Sequence, residues 1–481
     1  MSSLTKNVFL NTIACPTFGW RLKNGKIVED RSPETLYWMD QGKQIGKLAR
    51  ELYPDGVFVN VPDNETAAAL TSEIVADSKV RIIFEGTFIT GNYVAKADIL
   101  IRKGKSWDLV EVKSGLNVKE EHIADMAYTT LIAQKSGFKI SNILLQLINK
   151  EYRLGMPLEN LFVRSNCTED VLEMVKKFSP YLSKVDHFVH SIDEPEPEPT
   201  INCKKCSEFK QCIGKDIKNP IFQIPRLSEK AFTALSSEGI LSIFDIPESF
   251  KLTPIQRQVV KCIKSGEVEI DPVMRERLDE VVWPAYYLDF ETTQTAIPLY
   301  PKLGPYDIFP TQYSIHICDR LGNITGHREY IANPKLDCRK ELAKRLIADL
   351  DKKGSIIAYS NYEKTRINAL CEAFPDLEKP LQALIERIVD LEKSVKCVHH
   401  PQFAGRTSIK VVLPALVTDL SYDGLAISGG GCAMVVFAMM AQGMMSPEEI
   451  EQKKAELLAY CKLDTLAMVR VHEQLCDLLE K

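Results

Sequence analysis

The chain has 481 residues, 45% hydrophobic and 26% charged, which excludes a disordered chain and is long enough for two or three packed domains. The net charge of -5 excludes a globally basic coat for nucleic acid, so such a partner has to be held by local basic patches or through metal ions. The opening MSSLTKNVFLNTIACPTFGW lacks the apolar core and cleavage site of a secretory signal, and the most apolar stretch, 433–441, is too short to span a bilayer; the expectation is a cytoplasmic protein with no membrane partner, whose thirteen cysteines are free thiols or metal ligands.

Residues 41–53 carry Ile45, Leu48, Ala49 and Leu52 at helical spacing, and 66–75 follows the same pattern. Three strand-like runs come next, 80–88, 93–101 and 107–112, the last two joined through the turn residues 102–106. A helix over 119–135 and a strand over 143–148 complete an α/β unit. Asp98 falls on one arm of the hairpin, and Glu111 and Lys113 fall on the other. Residues two apart on a strand share a face, so Glu111 and Lys113 project together and Asp98 can meet them across the hairpin. Two carboxylates so placed can hold magnesium or manganese, which activates water and polarises a phosphate. A lysine beside them orients that water or neutralises developing charge. A surface hairpin of alternating charges is the plain alternative.

The helix, Asp98 and Glu111-Val112-Lys113 together resemble the PD-(D/E)XK nucleases of the RecB type, including the CRISPR-associated adaptation nuclease. The resemblance implies that Asp98 and Glu111 bind metal, that Lys113 is catalytic, and that DNA single strands or ends are cut. Glu85, in IIFEGTF, is either an extra acid of that site or a partly exposed strand carboxylate. The chain departs from the family at Gly46, where many members carry histidine, and at Thr129, where a glutamine is expected. Asp125 and Tyr128 read as structural.

After an acidic Pro-rich spacer, 193–200, Cys203, Cys206 and Cys212 give C-x2-C-x5-C in a Lys-rich loop. Three close cysteines in a reducing compartment suggest a metal and need a fourth ligand. RecB-type nucleases with iron–sulfur clusters place one cysteine before the nuclease core and three after it. That likeness implies a four-iron four-sulfur cluster on Cys15, Cys203, Cys206 and Cys212, with zinc as the alternative because spacing does not separate the two. The other nine cysteines lie in apolar runs and read as core. Residues 220–280 read as short helices; Leu235 to Ile240, with its single glycine, is either a helical spacer or a helix–hairpin–helix fragment.

The last segment opens with strands over 285–290, 312–318 and 324–331, then alternates helix 339–350, strand 355–359, helix 364–374 and strand 387–391. A long helix starts near Pro447, with Ser446 as N-cap and Glu448 and Glu449 in its first turn. Asp289 and Glu291 share a strand face, and Tyr460 and Asp464 share a helix face. These resemble the first and third motifs of DEDD-type 3′→5′ exonucleases of the tyrosine variant. Tyr362-Glu363 fits the second motif, with glutamate in place of the usual aspartate. The resemblance implies an RNase H-like domain in which Asp289, Glu291, Glu363 and Asp464 hold two metal ions and Tyr460 positions the attacking water. Asp390 reads as a strand-end or capping acid, Ser408 as an N-cap and Lys410 as a phosphate contact. The phrases LDFETT, SIKVVLPAL and YCKLDTLAM resemble a bacterial family of unassigned function that joins the two kinds of domain. The expectation is an α/β multidomain protein: a RecB-like PD-(D/E)XK domain over 1–215, a helical linker over 216–280 and an RNase H-like domain over 281–481. Its expected function is metal-dependent cleavage of DNA at two centres; RNA as substrate, or a nucleic-acid-binding scaffold with a degenerate first half, are the alternatives.

Overall fold

The apolar runs of the sequence form two mixed sheets in a computed structural model that describes residues 3–427 and 429–480. The chain divides into two compact units, residues 1–213 with 296–306, and residues 214–295 with 307–481. The helical stretch that follows the cysteine-rich loop falls within the second unit, and residues 296–306 fall within the first.

In the first unit a six-stranded sheet follows chain order: Val57–Phe58, Ile82–Thr90, Tyr93–Lys103, Ser106–Val112, Ile140–Ile148 and Phe162–Asn166. The three central strands are antiparallel; the pairing of Ser106–Val112 with Ile140–Ile148 is parallel, bridged by the helix Glu120–Lys135. Gly104, at φ 64°, supplies the left-handed residue that closes the hairpin between Lys103 and Ser106. Strand alternation sends Ile83, Leu100, Leu109 and Leu145 into a core with Met126, Ala127, Leu131 and Ile132 of that helix. Phe84, Ile99 and Val110 point the other way, against Ala49 of the helix Pro33–Glu51. Ser32 caps that helix and Pro33 opens it, a pairing suited to a helix start. The helix Lys6–Ala14, capped by Thr5, adds Val8 and Phe9 to the first core. Leu4, just before it, is fully buried and forms a β-bridge to Tyr93.

In the second unit a five-stranded sheet has the order Asn323–Ile331, Phe309–Arg320, Ala285–Thr293, Ile356–Ala358, Ile388–Asp390. Its first two pairings are antiparallel and its last two are parallel. Tyr286, Leu288 and Phe290 face the helices Arg339–Asp349, Tyr362–Ala373 and Glu378–Ile385. Tyr287 faces the opposite core, built with Met468, Val471 and Leu475 of the long helix Pro447–Glu480. That helix opens with a reciprocal box, Glu449 N–H donating to Ser446 Oγ and Ser446 N–H to Glu449 Oε2. The apolar stretch 433–441 lies in the helix Gly430–Ala441, with Val435, Val436, Phe437 and Ala438 buried. Among the described residues no helix is long and apolar enough to cross a membrane.

Candidate active sites

In the second unit, alternation along Ala285–Thr293 turns Asp289 and Glu291 toward the same face as Tyr287, the face covered by the C-terminal helix. That helix presents Tyr460 and Asp464 one turn apart. Glu363 enters from the first turn of Tyr362–Ala373, immediately beyond the strand Ile356–Ala358. All five line one cleft of about 310 Å³, together with Lys410 and Gly430. Glu363 is 3% exposed, and its Oε2 has no hydrogen-bond partner. Burial, and then the neighbouring carboxylates, push Asp289 and Glu291 well above the ordinary carboxylate range; Lys410 opposes the shift at Glu291. Glu363 is pushed up to about 7, by burial first and by Asp390 in addition. Asp464 is raised by burial, tempered by hydrogen bonds from Tyr422 and Tyr460. A divalent ion in such a cleft would offset the cost of burying these carboxylates as charged groups.

Cys461 corrects the reading of the remaining cysteines as simple core. Its thiol contacts Asp289 Oδ2 at 3.6 Å. One ligand atom each from Asp289, Glu291 and Cys461 lie within 4.8 Å of one another. Burial, then Asp289, holds the thiol well above its usual value, so it serves Asp289 as a donor. Tyr422 is a second tyrosine at this site; its hydroxyl donates to Asp464 Oδ1. Lys410 lies 5.3 Å from the ring of Tyr460 and 5.5 Å from that of Tyr422. Ser408 stands at the N-cap position of Ile409–Leu416 without making a side-chain cap. Asp390 is at the N-cap of Leu391–Val395, also without a cap bond; its Oδ1 is buried and unpartnered, and it is not part of the cleft wall.

In the first unit the pairs Phe84↔Ile99 and Gly86↔Ala97 set Glu85 opposite Asp98. Glu85 has φ 57°, a left-handed conformation uncommon for a residue with a side chain and frequent at functional sites. Glu85 and Asp98 line a cleft of about 460 Å³ walled by Gly42, Gly46, Lys43 and Arg50 of the helix Pro33–Glu51 and by Phe58. Arg50 approaches Glu85 at 3.8 Å. Burial first, and Glu111 second, push Asp98 up to about 8, while its Oδ2 accepts the Val112 N–H at 2.7 Å. Glu111, 3% exposed, receives Lys113 at 3.1 Å and Lys6 at 3.2 Å on Oε1; its Oε2 is buried with no partner.

Asp125 pairs with the same two lysines: its Oδ2 takes Lys113 at 2.5 Å and Lys6 at 3.3 Å. Burial opposes its ionisation, but the two lysines hold it below the ordinary aspartate value. Lys113, despite a burial that would lower it, is held above its usual value by Glu111 and Asp125 and stays an ammonium. Tyr128 is structural, donating to Leu4 O and Val94 O. Thr129 donates back to Asp125 O. Lys6 carried no signal in the sequence, since a lysine opening an amphipathic helix reads as a solvated face.

Cys15, Cys203, Cys206 and Cys212 line a single cavity with Arg21. Cys15 lies between Lys6–Ala14 and Pro16–Lys23 and accepts the Phe18 N–H at 3.4 Å. Cys203 accepts the Thr200 N–H at 3.4 Å. Burial, aided by the other three sulfurs, raises the Cys206 thiol. Trp20 Nε1–H to Ser191 O and Arg21 to Glu194 tie this helix to the stretch that leads into the cysteine loop.

A family model described as a domain of unknown function (DUF2779) matches residues 286–408. That stretch holds Asp289, Glu291 and Glu363 and ends before Tyr460 and Asp464. A protein of Mycoplasma pneumoniae described as "Uncharacterized protein MG366 homolog" is 25% identical over 206 residues, covering 38% of this chain and 31% of that protein.

Proposed function

We propose that this chain is a metal-dependent nuclease acting on DNA, with one phosphodiester-cleaving centre in each compact unit. The observation that carries the reading is the convergence of Asp289, Glu291, Glu363 and Asp464, from three separate elements, on one cleft where burial opposes the ionisation of all four and neighbouring carboxylates add to it at Asp289 and Glu291. Three antiparallel strands followed by parallel strands alternating with helices support an RNase H-like reading of the second unit. The Asp98 and Glu111–Lys113 hairpin, backed by Pro33–Glu51, supports a PD-(D/E)XK reading of the first.

Magnesium or manganese, when bound, supplies a water of lowered pKa and positive charge beside the leaving oxygen. The unpartnered Oε2 atoms of Glu363 and Glu111 fit such ions, since a buried carboxylate oxygen without a donor is costly to leave bare. Asp289, Glu291, Glu363 and Asp464 would be the ligands in one unit, and Asp98 and Glu111 in the other. Tyr460, hydrogen-bonded to Asp464, would position the attacking water. Lys410, in the same cleft wall, offsets phosphate charge, and Lys113 does so in the first unit.

The four cysteines fit a metal centre of their own, a four-iron four-sulfur cluster in this reading. Zinc on the same four thiolates is the alternative, since the one cavity that they line suits either metal. Such a cluster staples the N-terminal helices to the cysteine loop.

The test is digestion of matched, end-labelled DNA and RNA strands by the full chain with magnesium. DNA should be degraded, and chelation of the metal should stop it. Cleavage of RNA alone would make the chain an exoribonuclease, and binding without cleavage of either would make it a scaffold. Processing, repair and defence are all served by such an activity.

A further inference from the structure

Lys6 and Lys113 approach the same two oxygens. Lys6 Nζ lies 3.2 Å from Glu111 Oε1 and 3.3 Å from Asp125 Oδ2; Lys113 Nζ lies 3.1 Å and 2.5 Å from the same atoms. The four groups form a closed ring of alternating charge. Its consequence falls on Glu111, because one carboxylate oxygen is committed to two ammonium groups while the other, Oε2, is buried and unpartnered.

We propose that Lys6 is a positioning residue that fixes Glu111 as a single-oxygen metal ligand, and that this makes the first unit's site select magnesium or manganese over calcium. The proposal rests on the metal-site reading above and deepens it. Magnesium requires near-ideal octahedral geometry at short distances, which a carboxylate offering one oxygen suits, whereas calcium takes more oxygens and accepts bidentate carboxylates. With Oε1 held by both lysines, Glu111 is not free to turn both oxygens to one ion. Lys6 is built into this place. Leu4 N–H donates to Asn92 O at 2.6 Å, and Leu4 O accepts from Val94 N–H at 3.0 Å and from the Tyr128 hydroxyl at 2.9 Å. The Thr5 cap then starts the helix that carries Lys6. Charge-assisted hydrogen bonds of this kind hold orientation better than neutral ones.

The experiment uses the full chain carrying Asp289→Asn, so that the second unit's cleft is weakened as a competing site. Manganese binding is followed by electron paramagnetic resonance and calcium by its displacement of manganese. Lys6→Met keeps most of the aliphatic stem and removes the charge. Loss of one charge acts on both divalent ions alike, so the ratio of their affinities reads the orientation of Glu111 alone. The manganese-over-calcium preference should fall about tenfold in Lys6→Met and stay within about twofold of the parent in Lys6→Arg. Asp125→Asn, which loosens the ring from its other side, should shift the ratio in the same direction as Lys6→Met. An unchanged ratio in Lys6→Met, or an equal shift in Lys6→Arg, overturns the proposal. Glu111→Gln separates this from failure of the site reading. If manganese binding ignores Glu111→Gln, the metal site itself is wrong and the proposal falls with it. If binding depends on Glu111 but its selectivity ignores Lys6, only the role of Lys6 falls.

Discussion

Asp98→Asn should stabilise the metal-free protein at neutral pH, although it removes a residue assigned to the active site. Asp98 is pushed up to about 8 by burial and by Glu111. An aspartate whose folded pKa is raised in this way contributes stability that is complete below about pH 4 and lost as the pH climbs toward 8. Between the ordinary value near 3.9 and pH 7 lie roughly three units, each worth about 1.4 kcal/mol, an upper bound of roughly 4 kcal/mol. The side chain keeps part of its surface toward the open cleft, so water shares the load and about 2 kcal/mol is the expected gain. Asparagine retains an oxygen to accept the Val112 N–H. The assay is urea unfolding in chelator, read from tryptophan fluorescence, with Trp20, Trp38 and Trp107 in the first unit and Trp283 in the second. At pH 7 the variant should be the more stable; at pH 5 the gain should shrink to under about 1 kcal/mol. Magnesium at a hundred times its dissociation constant should return about 2.7 kcal/mol to the wild type and far less to the variant. A variant destabilised equally at both pH values would refute the picture of Asp98 as a strained acid awaiting a cation.

Three further outcomes are expected. Protein purified without oxygen should be brown with broad visible absorption, and Cys203→Ser should bleach it; a colourless preparation with stoichiometric zinc would contradict the iron–sulfur assignment. Tyr422→Phe should weaken manganese binding at the second unit's cleft about three- to tenfold, because Asp464 loses a charge-assisted donor, measured by titration with Lys113 intact; unchanged affinity would make Tyr422 a packing residue. Tyr128→Phe should destabilise the first unit by about 1–3 kcal/mol by stripping the hydroxyl from two buried carbonyls, seen as an earlier urea midpoint; an unmoved midpoint would mean that other donors replace it.

The strands and helices that build both clefts were legible because their signals are local. The strand-like runs 93–101 and 107–112, with the turn at 102–106 between them, specify the hairpin before any tertiary contact is known. Asp289 and Glu291 were readable for the same reason, since two residues apart on a strand means one face. The convergence of Glu363 and Asp464 on them was expected only through family likeness, as nothing local ties residue 363 to residue 464. Lys6, Tyr422 and Cys461 lay beyond the sequence reading, because each earns its place from a partner far along the chain: Glu111, Asp464 and Asp289. The left-handed backbone at Glu85 was equally hidden, since a glutamate within a strand pattern gives no sign of positive φ. The 296–306 segment places Ala296 among Ile45, Ile148, Tyr152 and Leu161 and sends the Tyr306 hydroxyl to Ser114 O. Its composition gives no indication of that destination.

The central claim is that two separate centres cut phosphodiester bonds, and the most direct measurement compares wild type, Lys113→Ala and Asp289→Ala on DNA strands labelled at either end, with magnesium. Asp289→Ala should lose stepwise trimming from 3′ ends and keep the Lys113-dependent cuts. Lys113→Ala should lose those cuts by at least about a hundredfold and keep the trimming, with both variants folded. If either variant cuts every substrate as fast as wild type, the corresponding cleft is not a catalytic centre and the account of two centres is wrong.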